Sequence, residues 1–190
     1  QIPEAGFQLW WNTPVNGLRF GAAFGYAFNF DYNFTIPTGV PPNPSATPFH
    51  AASSFPLQQY SAEYLWHNWT FQAEYYNVQI SQDTTSQFPV NHSFTAQTAW
   101  YGGAAYRFNK WLEVGGYYTE YYTTAPVTAA SDSSQKDLAL SFRFAPKPWW
   151  ALKVEGHYIR GTALLYDNAS NPVRNGDPWF MLAIKTTFSF

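Results

Sequence analysis

The chain has 190 residues, 46% hydrophobic and 21% aromatic but only 12% charged, with a mean hydropathy of −0.33 and a formal net charge of −2. That mixture fits neither a helical membrane protein nor an ordinary soluble domain. The lack of cysteine excludes disulfide frameworks and redox chemistry at sulfur, and ten scattered Lys and Arg offer no nucleic-acid patch.

No stretch approaches the roughly 20 apolar residues of a spanning helix, so a membrane-spanning form must use strands of about 9–11 residues. Gln1-Ile-Pro-Glu4 has neither a basic start nor an apolar run, so no signal peptide is read, and the chain is expected to be either mature or a piece of something longer. Period-two alternation between turn signals predicts strands near 5–12, 18–33, 57–67, 69–81, 93–108, 111–123, 135–145, 149–166 and 179–190. In the second, Leu18, Phe20, Phe24, Tyr26, Phe28 and Phe30 alternate with Arg19, Gly21, Ala23, Gly25, Asn29 and Asp31. The fifth sets Phe94, Trp100 and Tyr106 against Gln97, Tyr101 and Arg107, and the seventh sets Leu138, Leu140, Phe142 and Phe144 against Asp137, Ser141 and Arg143. In the ninth, Phe180, Leu182, Ile184, Thr186, Phe188 and Phe190 face away from Ala183, Lys185 and Thr187.

The connections alternate between short ones, at 13–17, 67–68, 109–110 and 146–148, and long ones, at 34–56, 82–92, 124–134 and 167–178. Outer-membrane barrels have this asymmetry, with short periplasmic turns and long extracellular loops, and Trp and Tyr near strand ends suit the two interfacial girdles. The fold expected is an all-β, antiparallel transmembrane β-barrel over residues 1–190, in one segment. Nine is an odd number where single-chain bacterial barrels have even ones, so further strands are expected before the first. The alternative is a complete eight-stranded barrel that starts at Leu18.

This register turns Arg19, Asp31, Glu63, Glu74, Arg107, Glu113, Asp137, Arg143, Lys153, Glu155 and Lys185 inward, with His67 and His157 near them. Both signs are present, which points to ion pairs bracing a wet wall, while Arg19, Arg107, Arg143, Lys153 and Lys185 would weakly favour small anions. His157 is expected beside Glu155. No Gly-x-Ser-x-Gly elbow appears and His50, His67, His92 and His157 lack metal-ligand spacing, so no catalytic residue, metal or cofactor is named. The sequons at Asn33, Asn68, Asn91 and Asn168 are read as chance. The 34–56 segment, with six prolines from Pro37 to Pro56, is expected to lack regular structure and to lie on the outer side as a constriction or a contact surface.

Two segments carry a resemblance: the terminal strand with Leu182, Ile184, Phe188 and Phe190, similar to the signal read by the barrel-assembly machinery, and Lys147-Pro-Trp-Trp-Ala-Leu-Lys-Val-Glu-Gly-His-Tyr158. On these the chain resembles the C-terminal part of Gram-negative outer-membrane porin-like proteins, whose barrels commonly have sixteen or more strands. The resemblance implies an outer-membrane location, a passive channel for small hydrophilic solutes, and Phe188 and Phe190 as an assembly signal. Partners implied are the lipid bilayer, the solutes, and either missing N-terminal strands, another chain or further copies of this one. The competing expectations are a filled interaction barrel whose loops bind a surface partner, and a sheath around another component.

Overall fold

A computed structural model describes the backbone of residues 4–37, 46–85, 91–124, 130–165 and 178–189, and the side chains of 4–27, 54–81, 83, 93–124, 132–165 and 178–189. Nine strands form one sheet in strict chain order: β1 (Glu4–Asn12), β2 (Leu18–Pro37), β3 (Ala46–Trp66), β4 (Trp69–Thr85), β5 (Asn91–Arg107), β6 (Leu112–Thr123), β7 (Ser134–Lys147), β8 (Trp150–Gly161) and β9 (Trp179–Phe188). Every neighbouring pair is antiparallel. No helix among the described residues is long and apolar enough to cross a membrane, and the single helical turn is a 3-10 turn at Ala130–Ser133. The all-β antiparallel expectation holds. Among the described residues β1 and β9 pair only on one side each, so they are the two edges of the sheet.

The short connections are explained by their residues. His67 has φ 54°, the left-handed geometry that a two-residue hairpin asks of a central residue and that His tolerates better than most side chains, and it closes Trp66 onto Trp69. His67 is therefore a turn residue and not part of the inward charged set. Gly17 has φ 82°, and a Cβ there would overlap the Leu65 carbonyl oxygen, so only glycine serves. Asn109 folds its turn by accepting hydrogen bonds from the amides of Trp111 and Leu112, both at 2.9 Å.

The predicted bounds change in three places. The 34–56 segment is not irregular throughout: β2 runs on to Pro37 and β3 starts at Ala46, with Thr35 opposite Pro48 and Ile36 opposite Thr47. Pro56 sits opposite Tyr26, next to the register shift between Ala27 and Phe30, which is where a strand accepts a residue that has no amide proton. β4 likewise extends to Thr85 and β5 begins at Asn91, which shortens the expected 82–92 loop. β8 ends at Gly161 rather than near 166, because Gly161 turns the chain at φ 90°.

One face of the sheet is apolar and bare. Phe180, Leu182 and Ile184 are 79%, 69% and 66% exposed, and Phe20, Phe71, Tyr75, Leu138, Leu140 and Phe142 stand exposed on the same face. Rings meet along it from strand to strand, Phe7 tilted against Phe24, Phe24 edge-to-face with Tyr60, and Tyr60 tilted against Tyr75. A soluble protein does not leave so continuous an apolar surface in water. The small buried core lies on the opposite face: Val78, Ala139 and Ile159, with Asp137, His157 and Thr162.

Candidate functional site on the polar face

Alternation along each strand gathers the charges on the face opposite the aromatics, and register decides which of them meet. Arg19 lies opposite Glu63 and their charges touch at 2.9 Å, Glu63 accepts a further bond from Gln72 at 3.3 Å, and Gln59 donates to Glu74 at 3.2 Å. The Arg19 guanidinium also covers the Trp10 ring at 4.7 Å, an aromatic on this face that alternation alone treats as ordinary. Arg107 lies opposite Glu113 and reaches it at 3.4 Å, and Lys153 reaches Glu155 at 2.9 Å. The contacts at Glu63, Glu74 and Glu113 are the cross-strand bracing that the mixed charges suggested, while Lys153 and Glu155 pair along β8 itself.

Near the short-turn end a single register row crosses five strands: Arg107 opposite Glu113, Glu113 opposite Arg143, Arg143 opposite Lys153, and Lys153 opposite Lys185. Four cations stand at one height with one carboxylate among them. Arg107 is offset by Glu113 and Lys153 by Glu155, and Arg143 and Lys185 leave the row with a positive excess. Above it, a cavity of about 430 Å³ opens on the same face, lined by Gln72, Tyr101, Glu113, Thr119, Arg143 and Lys153 among others. Its floor is shallow because Gly103, Ala105 and Gly115 carry little or no side chain; a Cβ on Gly115 would press on that of Ala105.

Toward the long-loop end the character changes. Asp137 and His157 are 9% and 7% exposed, and His157 Nδ1 lies 2.9 Å from Asp137 Oδ2. The Tyr117 ring meets the imidazole edge to face at 6.1 Å between centroids. Asp137 Oδ1 and Glu155 Oε1 are buried with no hydrogen-bond partner among the described residues; the Lys153 contact to Glu155 brings the charges close without hydrogen-bond alignment. The expectation of His157 beside Glu155 is thus corrected: its partner is Asp137, across the β7–β8 ladder. Thr162 adds a buried bond to Asp132 at 2.6 Å, tying the end of β8 to the 3-10 turn.

Of the sequence-derived set, the structure brings Arg19 to Glu63, Arg107 to Glu113, and Lys153 to Glu155, and aligns Arg143 and Lys185 with them. The side chains of Asp31, His50 and His92, together with Phe190 and residues 38–45, lie outside what is described, and Phe188 is an exposed residue of β9 stacked on Trp150. Among the described residues no group of three or more His, Asp or Glu could hold a metal ion.

No protein family model matches the sequence, and no curated protein matches it. Solved structures do. The outer-membrane-expressed OmpT of Vibrio cholerae superposes with a TM-score of 0.54 at 14% identity, over 83% of this chain and 46% of that one. An in-vitro folded OmpT, an outer membrane protein of Vibrio cholerae, gives 0.56 at 14% identity, over 98% of this chain and 56% of that one. The NanC porin covers 100% of this chain and 98% of its own at 11% identity, with a TM-score of only 0.40, too low to add to the comparison. The chain has the fold of an outer-membrane β-barrel, a fold of the bacterial outer membrane, and it spans about half the length of the OmpT structures it matches.

Proposed function

We propose that this chain is part of the wall of an outer-membrane porin, a passive channel for small hydrophilic solutes with a mild preference for anions. The observation that carries this reading is the band Arg107–Glu113–Arg143–Lys153–Lys185 across five adjacent strands, on the face that also holds the 430 Å³ cavity. A band of one predominant sign on a wet wall selects among ions by charge. β1 and β9, as first and ninth strands of an alternating sheet, run in the same direction, so a barrel antiparallel throughout takes further strands between these edges, from the same protein or from another chain.

The test is the reversal potential of reconstituted channels under a KCl gradient. The native chain is expected to favour chloride, and Arg143→Glu with Lys153→Glu to move the preference toward potassium. An unchanged reversal potential would remove those two residues from the pore.

A second reading, a filled barrel that acts as a binding scaffold, is favoured by one observation: the polar face of β7 and β8 near the long loops is buried at Asp137, Ala139, His157 and Ile159. Filling at that end narrows a pore without closing it, because the cationic band lies at the other end of the same strands.

A further inference from the structure

On the apolar face of β6, β7 and β8, near the long-loop end, three charges stand together: Glu120, Lys136 and Arg160. Lys136 lies opposite Glu120 on one side and opposite Arg160 on the other. Glu120 is fully engaged: its Oε1 takes the Tyr118 hydroxyl at 2.5 Å and the Lys136 ammonium at 3.3 Å, and its Oε2 takes the Tyr122 hydroxyl at 2.5 Å. Arg160 is exposed and makes no hydrogen bond or ion pair among the described residues. Two cations face each other across the β7–β8 ladder and share one carboxylate, which leaves one positive charge without a partner among the described residues.

The position fixes where that charge sits. Trp150 marks the short-turn rim of β8, and Arg160 lies ten residues further on, the length of strand that spans a bilayer's hydrocarbon core. Tyr158 lies two residues before Arg160 on β8, and Tyr118 and Tyr122 flank Glu120 on β6, as aromatic rings do at headgroup level. Immediately below, on the same face, runs an open groove of about 840 Å³ lined by Gly102, Gly116, Leu138, Leu140, Gly156 and Phe180. A Cβ placed on Gly102 or Gly156 would meet nothing within 4 Å, so these glycines leave space that no other side chain among the described residues fills. Gly156 lies four residues from Arg160, about 13 Å along the strand.

We infer that Arg160 and Lys136 with this groove form a binding site for one phosphorylated membrane lipid, the phosphate on the guanidinium and an acyl chain in the glycine-floored groove. The inference rests on the outer-membrane barrel reading but is independent of ion conduction. Arg160 supplies a planar, bidentate donor suited to phosphate oxygens, Lys136 adds charge while held by Glu120, and the groove adds a mainly apolar contact for the chain. The net charge of the three groups, one positive, complements a single phosphate. A lipid is the occupant because charge and groove are contiguous along one strand direction, cation toward headgroup level and carbon toward mid-membrane.

The test is native mass spectrometry of the natively extracted protein in detergent micelles, titrated with dimyristoyl phosphatidic acid and, separately, with dimyristoylglycerol, which lacks the phosphate. The expected result is retention of one phosphatidic acid molecule in preference to dimyristoylglycerol, at least tenfold weaker in Arg160→Gln, largely kept in Arg160→Lys, and weakened by Gly156→Leu, with Lys147→Gln as an unaffected control. Millimolar inorganic phosphate should fail to displace the lipid. Equal binding of the two lipids, or equal retention in Arg160→Gln and the native chain, would overturn the site. Displacement by inorganic phosphate would overturn the lipid as its occupant. Because Arg160 lies on the outer face, Arg160→Gln should leave conductance unchanged, which also reports that the variant is assembled.

Discussion

At the scale of single residues, burial decides which charged pair matters. Arg19 and Glu63 meet at 2.9 Å, but the arginine side chain is 45% exposed, so Arg19→Ala should cost less than about 1 kcal/mol in denaturant unfolding from lipid vesicles. Asp137 and His157 make a contact of equal length with almost no access to solvent. His157→Ala leaves the Asp137 carboxylate buried and without its partner and should cost about 3–5 kcal/mol by the same assay. A cost below 1 kcal/mol would mean that the pair is hydrated. Gly161→Ala should lose about 1–3 kcal/mol, since it places a Cβ at φ 90° against the Ser134 carbonyl oxygen. Alternation placed Asp137 and His157 on one face, but it could not say who meets whom. The reason is the irregularity between Phe144 and Lys147: without the extra residue there, the turn that pairs Lys147 with Trp150 would set His157 opposite Leu140, a polar face against an apolar one. The bulge restores parity and brings Ala139 opposite His157 and Ile159 opposite Asp137, so the imidazole reaches the carboxylate diagonally.

At the scale of the strand, the apolar face is the element's most consequential product. Leu140 stands 52% exposed, six residues from Pro146 and four from Lys136, and its neighbours across the sheet are Gly116 and Gly156. If this face meets lipid, Leu140→Arg should cost about 2–4 kcal/mol in folding equilibrium from vesicles; a variant as stable as the parent would assign Leu140 to the wrong side. The strand centres were readable because period-two alternation needs no tertiary information. The strand ends were less so. Pro37, Pro48 and Pro56 argue locally against pairing, yet β2 reaches Pro37 and β3 runs through Pro48 and Pro56, because a long antiparallel partner satisfies the remaining backbone groups and a bulge accommodates the rest. Alternation alone does not single out the outward Glu120–Lys136–Arg160 group either, because it assigns charge to the wet side of a barrel and these residues sit where lipid headgroups begin.

At the scale of the whole molecule, a nine-stranded sheet with two paired-on-one-side edges and a bare apolar face is incomplete as a water-soluble object and coherent as a section of membrane wall. Unpaired backbone at an edge is costly in lipid, so each edge needs a neighbour there. The match to about half of each OmpT structure has the same sense. The central claim is that the polar face lines a water-filled path, and single-channel recording in a planar bilayer tests it most directly, using protein extracted natively so that any neighbouring strands or chains stay attached. Stable conductance steps that grow with salt concentration and favour chloride are the predicted result. Correctly inserted protein that leaves the bilayer silent would contradict it and identify a filled or occupied barrel instead.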